Sequence, residues 1–303
     1  MKRTVKMLAL LLILSLLAAC STQGQSDCPP ADEAPNHVVV DEPSSATDQV
    51  TCVAPTEVSK RFRIVDGAEN GSLLLAGLDG GAGDVYRLSG TREGIEIYLD
   101  GEKSDASALK DGMTIQIIWD GLVLETYPAQ IPGTAIIETW SIGSRENPGG
   151  SYYDLCGLYL QVLNDLWEKD SALNEGKSMI GLDLTQAPGG LTDSEKSALA
   201  HRFGELHGAE VYLTTFERLK EDGALTEQTL NNGTSFYTWE DGCLFSITPH
   251  ETDETEVYSL PVLRFDAEKY VGPLVAYVFY DCTAVWPELG TWTEYSIGGE
   301  IIS

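Results

Sequence analysis

The clearest hydrophobic rhythm in the chain lies between residues 155 and 167. Leu155, Leu158, Tyr159, Val162, Leu163, Leu166 and Trp167 recur at steps of three and four, which places all seven on one face of a helix, with Cys156 at its border. Before it, residues 60–142 follow a period of two. Strands are predicted over 62–65, 72–77, 85–88, 94–99, 113–119, 122–126 and 135–140, with Ile95, Ile97 and Leu99 sharing one face and Ile115, Ile117 and Trp119 another. Asp79-Gly80-Gly81, Asp100-Gly101 and Asp120-Gly121 supply turns between them. Five to seven short strands in about eighty residues predict a small β-barrel.

After residue 167 the pattern changes twice. Ile180, Leu182 and Leu184 read as a strand, Pro188-Gly189-Gly190 breaks it, and Thr192-Asp193-Ser194-Glu195 is a capping box opening a helix with Leu199, Phe203 and Leu206 as its stripe. Gly208 closes that helix; a short strand over 210–213 and a third helix over 215–221 follow. From Phe236 onward β patterning dominates. Glu240-Asp241-Gly242 is read as the turn of a hairpin between 236–239 and 243–248, and strands are predicted over 262–265, 274–285 and 291–297. Helices first and an antiparallel meander last predict an α+β domain. The division expected is therefore 1–19 signal peptide, 20–58 tether, 59–145 β-barrel and 146–303 α+β domain.

The amino terminus is read by its charge and length. Lys2, Arg3 and Lys6 precede an apolar run from Met7 to Ala19, the length of a signal-peptide core rather than of a spanning helix. The run ends in Leu17-Ala18-Ala19-Cys20, which resembles a bacterial lipobox. The resemblance implies a diacylglyceryl group on the Cys20 thiol, cleavage before it, and a mature protein held on the outer face of the cytoplasmic membrane. An ordinary secretory signal with a coincidental cysteine is the competing reading. Each buried methylene contributes about 0.8 kcal/mol, so two acyl chains hold where one would exchange. From Ser21 to Glu57 the chain is polar, acidic and interrupted by Pro29, Pro30, Pro35, Pro43 and Pro55. Such a tether spans roughly 35 Å root-mean-square as a random coil.

Charge narrows the partners. The chain carries 19 Lys+Arg against 47 Asp+Glu, a net −28; losing the signal removes three basic residues and no acidic one, leaving −31. A surface this acidic disfavours nucleic acid and flat contact with anionic headgroups. Without Cys20 five cysteines remain, Cys28, Cys52, Cys156, Cys243 and Cys282, so at least one stays outside any intramolecular disulfide. Cys28 and Cys52 could bridge within the tether.

Leu109-Lys110-Asp111-Gly112-Met113-Thr114-Ile115, Trp119-Asp120-Gly121 and Thr126-Tyr127-Pro128-Ala129-Gln130 together resemble a family of small Gram-positive lipoproteins of unknown function. That family shows a glycine before an alternating strand, an Asp-Gly turn, and a Ser-Tyr-Pro-Ala-Gln segment; here Thr126 replaces the serine. The resemblance implies a five-stranded OB-type barrel and an extracellular location, with no activity attached. The carboxyl-terminal stretch, from Ala276 through Asp281-Cys282-Thr283-Ala284 to Gly290-Thr291-Trp292-Thr293 and Ser303, resembles a terminal module of uncharacterised Gram-positive cell-surface proteins.

No pattern specifies a reaction. His201 and His207 lie six apart, about 240° around a helix, and no His/Cys pair has zinc spacing. Residues 77–83 are glycine-rich without the lysine of a phosphate loop, Asp79 and Asp84 lack EF-hand spacing, and a Gly-x-Ser-x-Gly elbow is missing. Cys282 follows Asp281 and alternates with Leu274, Ala276, Val278 and Tyr280, a core pattern rather than a nucleophile's. No catalytic residue, metal ligand or cofactor is assigned. Tyr127, Gln130 and Trp140 are the candidate ligand-binding residues, because barrels of this type bind across one face and its loops; Trp119 fits a core aromatic better. The expected function is a lipid-anchored, non-catalytic binding or interaction module of the envelope, its partner an envelope protein or small molecule. The alternative is a cell-wall or peptide hydrolase whose catalytic groups come from distant parts of the chain.

Overall fold

The computed structural model describes residues 57–89, 93–141, 154–251, 262–286 and 292–303. The segments expected as signal peptide and tether, with Cys20, Cys28 and Cys52, lie outside the described residues except for Glu57 and Val58, and Val58 is the first residue of a strand. Among the described residues the protein is mainly β, with three α-helices, two long and one short, confined to its second half.

The first sheet contains β1 (Val58–Asp66), β2 (Ser72–Gly77), β3 (Val85–Ser89), β4 (Ile95–Leu99), β5 (Glu102–Ser104), β6 (Thr114–Trp119), β7 (Ala129–Gln130) and β8 (Ala135–Thr139). Their order is β5-β4-β8-β6-β1-β2-β3-β7, with β4/β8 and β3/β7 parallel and the remaining pairs antiparallel. This differs from the five-stranded barrel expected: the sheet is open, and among the described residues no pairing joins β5 to β7. Residues 122–126 supply no strand. They make a single bridge, Leu124 to Gln130, and leave Leu122 and Leu124 exposed, so no apolar layer rewards extending the ladder there.

On one face of this sheet Phe62, Ile64, Leu73, Leu75, Ile115, Ile117 and Trp119 form one core. Trp119 is buried there, as a core aromatic. The opposite face of the same strands is also buried: Leu74, Ala76 and Val85 join a second core with the helices. Burial on both faces explains why β2 reads Leu73-Leu74-Leu75-Ala76 without alternation.

The second half begins with α1 (Leu155–Glu168), β9 (Met179–Asp183), α2 (Asp193–His207), β10 (Val211–Leu213) and α3 (Phe216–Glu221). Then come β11 (Thr226–Thr229), β12 (Ser235–Thr238), β13 (Gly242–Pro249), β14 (Val262–Gly272), β15 (Val275–Val285), β16 (Thr293–Ser296) and β17 (Gly299–Ile302). The sheet order is β10-β9-β13-β14-β15-β16, with β17 also on β15. The helix–strand order along the chain follows the expectation, but the sheet is mixed and no purely antiparallel meander: β9 pairs in parallel with both β10 and β13, and only the rest is antiparallel. The hairpin expected around Glu240-Asp241-Gly242 does not form. β12 pairs with β11 instead, while β13 crosses to β9 because Cys243, Phe245 and Ile247 are needed in the core beneath α1 and α2.

Two local details set the core. On β15 a bulge places Tyr280 and Asp281 opposite Asp266, with Asp281 at φ +54° and its N–H donating to Asp266 Oδ1 at 2.7 Å. The bulge reverses which face is inward: Tyr277 and Phe279 are buried before it, Cys282 and Ala284 after it, while Tyr280 and Leu274 are exposed. Cys282 is thus a core thiol, but not through the alternation with Leu274 and Tyr280. On β14, Lys269 is fully buried. Its ammonium reaches the carboxyl-terminal end of α1, donating to the carbonyls of Trp167, Lys169 and Asp170 and to Asn174 Oδ1 at 2.9 Å. Helix ends leave carbonyls unpaired and carry partial negative charge, so a buried cation there satisfies both demands. Burial pulls the Lys269 pKa down. Lys269→Met should lower unfolding free energy by about 1–3 kcal/mol, because the acceptors at the helix end lose their donor and Asn174 Oδ1 stays buried without one; urea denaturation of the variant measures it.

Candidate functional site

Helix α2 begins at the capping box read from sequence: Thr192 Oγ1 accepts from the Glu195 N–H at 3.2 Å, and Glu195 Oε2 accepts from the Thr192 N–H at 2.8 Å. It ends at Gly208, φ +61°. Leu199 and Phe203 are fully buried as expected, whereas Leu206, assigned to the same stripe, is exposed. The face that sequence alone leaves to solvent lies against the first sheet. Ser194 donates to the Gly77 carbonyl at 2.6 Å, Glu195 pairs with Arg63 at 3.2 Å, and Arg202 pairs with Asp66 at 2.6 Å.

Past this seam, α2 borders an open trench of about 670 Å³. Its floor is Ser197, Ala200, His201 and Gly204; one wall is the edge strand β10 and the other is Tyr127 from the loop before β7. Gly204 is required by close approach: a Cβ there would lie 2.6 Å from the Ala209 carbonyl oxygen. Tyr127 is 57% exposed, its hydroxyl donates to the Ser197 carbonyl at 3.4 Å, and its ring meets His201 edge-on at 5.6 Å. Glu205 binds both Arg87 and His201, the latter at 3.2 Å. Burial first, then the neighbouring Arg87 charge, holds the His201 pKa low despite Glu205. For Glu205 burial opposes ionisation, yet the Arg87 hydrogen bond and the charges of Arg87, His201 and Arg202 prevail and keep it below the ordinary carboxylate range.

The candidate residues separate here. Tyr127 lines the trench and Gln130 sits beside it in β7, exposed, its amide donating to Thr126 Oγ1 at 3.4 Å. Trp140 follows β8, separated from β7 by four intervening strands in the hydrogen-bonded order, and is half-buried. Glu210, Tyr212, Leu213 and Arg87 were not singled out from sequence, since nothing in their spacing brings residues 87, 127 and 213 together. Cys156, Cys243 and Cys282 are free and buried. Burial pushes the Cys243 and Cys282 thiols up to about 12 and Cys156 well above its ordinary value, the reverse of what a nucleophilic thiolate needs. Asp79 and Asp84 are ion-paired, with Arg61 at 3.0 Å and Lys60 at 2.5 Å.

A second hollow, about 600 Å³, is lined by three carboxylates, Glu69, Asp111 and Asp154. Asp111 and Gly112 belong to the segment that carries the lipoprotein resemblance, and here it docks α1 onto the first sheet. Asp111 accepts from the Ala68 N–H at 2.9 Å, and Gly112, φ +82°, packs where a Cβ would lie 2.5 Å from the Asp154 Cβ. Asp154 caps α1 by accepting from the Gly157 N–H at 2.8 Å. Burial raises Asp111, and burial together with the Asp111 charge raises Asp154 to about 6. Among the described residues no cluster of three or more His, Cys, Asp or Glu side chains is placed to hold a metal ion. No protein-family model matches the chain, and no curated protein and no solved structure matches it significantly.

A carboxyl whose folded pKa lies above its unfolded value favours the fold while protonated, below pH 3.8, and loses that contribution as pH rises through about 6. Asparagine caps helices as well as aspartate and carries no charge. Asp154→Asn should therefore stabilise the protein at pH 7 by about 1–3 kcal/mol and flatten the decline in stability between pH 4 and 6.5, as followed by denaturation across that range.

Proposed function

We propose that the protein is a lipid-anchored, extracellular binding module of a Gram-positive envelope, with the trench between α2, β10 and Tyr127 as its ligand surface. The observation that carries the reading is the trench itself: Tyr127, Tyr212 and Leu213 are exposed aromatic and aliphatic groups from distant parts of the chain around one concavity, and exposed aromatics of this kind dominate binding energy at interfaces. Leu17-Ala18-Ala19-Cys20 supports the anchor, and the strongly acidic composition supports a body held from the headgroups by its tether. The resemblance of residues 109–130 to the small lipoproteins supports the location. In the same reading the first sheet is an enlarged, unclosed relative of the OB-type barrel. At the trench margin Glu205 is paired with Arg87, His201 and Arg202, an arrangement that favours recognition over proton transfer.

Two expectations follow from this reading. Cys20→Ser should abolish incorporation of labelled fatty acid; normal labelling would refute the anchor. Full-length protein in detergent should be retained on Gram-positive envelope preparations, and Tyr127→Ala should weaken retention about tenfold. Equal retention of the variant would remove the trench from the function, and reproducible release of envelope fragments would favour the hydrolase alternative.

A further inference from the structure

The trench has a property that an ordinary apolar pocket lacks: one wall is the bare edge of a sheet. Among the described residues β10 pairs with β9 alone. The Thr214 N–H donates to the Leu182 carbonyl at 3.1 Å, so by strand alternation Tyr212 also points its main chain at β9, while Val211 and Leu213 point their N–H and C=O groups outward. The two faces beside that edge differ in chemistry. On the α2 side are the Val211 side chain, close against Gly204, then Leu213, Ala200 and the Tyr127 ring. On the other side Tyr212 is exposed and hydrogen-bonded to Glu210.

We infer that β10 accepts an extended segment of a basic partner polypeptide as an added strand, its alternate residues apolar toward α2 and cationic toward Glu210 and Tyr212. The inference rests on the reading of the trench as a binding surface and names the partner's chemistry. Main-chain groups of Val211 and Leu213 provide the ladder, and the alternation of strand side chains matches one apolar and one acidic, aromatic face. A Lys or Arg over Tyr212 and beside Glu210 gains both charge pairing and ring contact. The net charge of −28 opposes a second copy of the same chain at this edge and favours a cationic segment.

The test uses the full-length chain in detergent and three capped octapeptides: alternating lysine and valine, the same sequence with N-methyl groups on alternate backbone nitrogens, and alternating glutamate and valine. The lysine–valine peptide should slow amide exchange at Val211 and Leu213 by about tenfold or more when saturating, with the N-methylated and glutamate peptides producing no such protection. Glu210→Lys should weaken binding of the lysine–valine peptide about two- to fivefold, the range of an exposed ion pair. Absence of binding, binding without protection at these two amides, or equal binding of the N-methylated peptide overturns strand addition. Protection that grows with protein concentration in the absence of peptide also overturns it, by assigning the edge to a second copy. Retention on envelopes that depends on Tyr127, with exchange at Val211 and Leu213 unchanged, leaves the binding module standing and removes only the added strand.

Discussion

The arrangement depends on helix α2 being buried from two directions. One side presents Leu199 and Phe203 to the core beneath the second sheet, and the other presents Ser194, Glu195 and Arg202 to β1 and β2. A helix with a polar face normally turns it to water. Here that face meets complementary groups: the Gly77 carbonyl, Arg63 and Asp66. Arg63 is held further by the Gly112 carbonyl and Thr114 at 2.9 and 3.0 Å, so the seam is hydrogen-bonded on both sides. Pairs of this kind add modestly to stability, since desolvation offsets much of their attraction; their larger effect is to fix one geometry.

Fixing that geometry creates the trench. Tyr127 belongs to the first sheet's connections and β10 to the second sheet, and they become opposing walls only because α2 holds its floor residues between them. Arg87 on β3 and Glu205 on α2 complete the link at the trench margin. Removing the close approach at Gly204 would displace β10 relative to the helix, which ties a conformational requirement of one glycine to the shape of the concavity.

Much of the local structure was legible before any coordinates. The α1 face, the capping box at Thr192, the stop at Gly208 and the limits of β2 follow from periodicity and turn chemistry, and they stand at those residues. What was not legible depends on contacts distant along the chain. The open first sheet, the crossing of β13 to β9, and the use of the α2 polar face as an interface are decisions about partners, and hydrophobic period cannot name a partner. The inversion on β15 is a separate case: one extra residue at Asp281 changes inside to outside, so a simple alternation predicts burial of Cys282 with the wrong companions. At the candidate site Tyr127 was accessible through the family resemblance, whereas Tyr212 and Glu210 sit in a short segment with no distinguishing pattern, and Trp140 was drawn in by proximity in sequence although four strands intervene.

The second sheet treats its two borders differently. Along β15 the far margin is covered twice, by β16 beyond the bulge and by β17 before it, so little of that border is left to recruit stray chains. Among the described residues the β10 border is bare but only three residues long, about 10 Å of ladder. Stable fibrillar stacking draws on segments of about six or seven residues. The brevity of β10 thus limits stacking: a chain can display an unfinished sheet of three residues without seeding fibres from it.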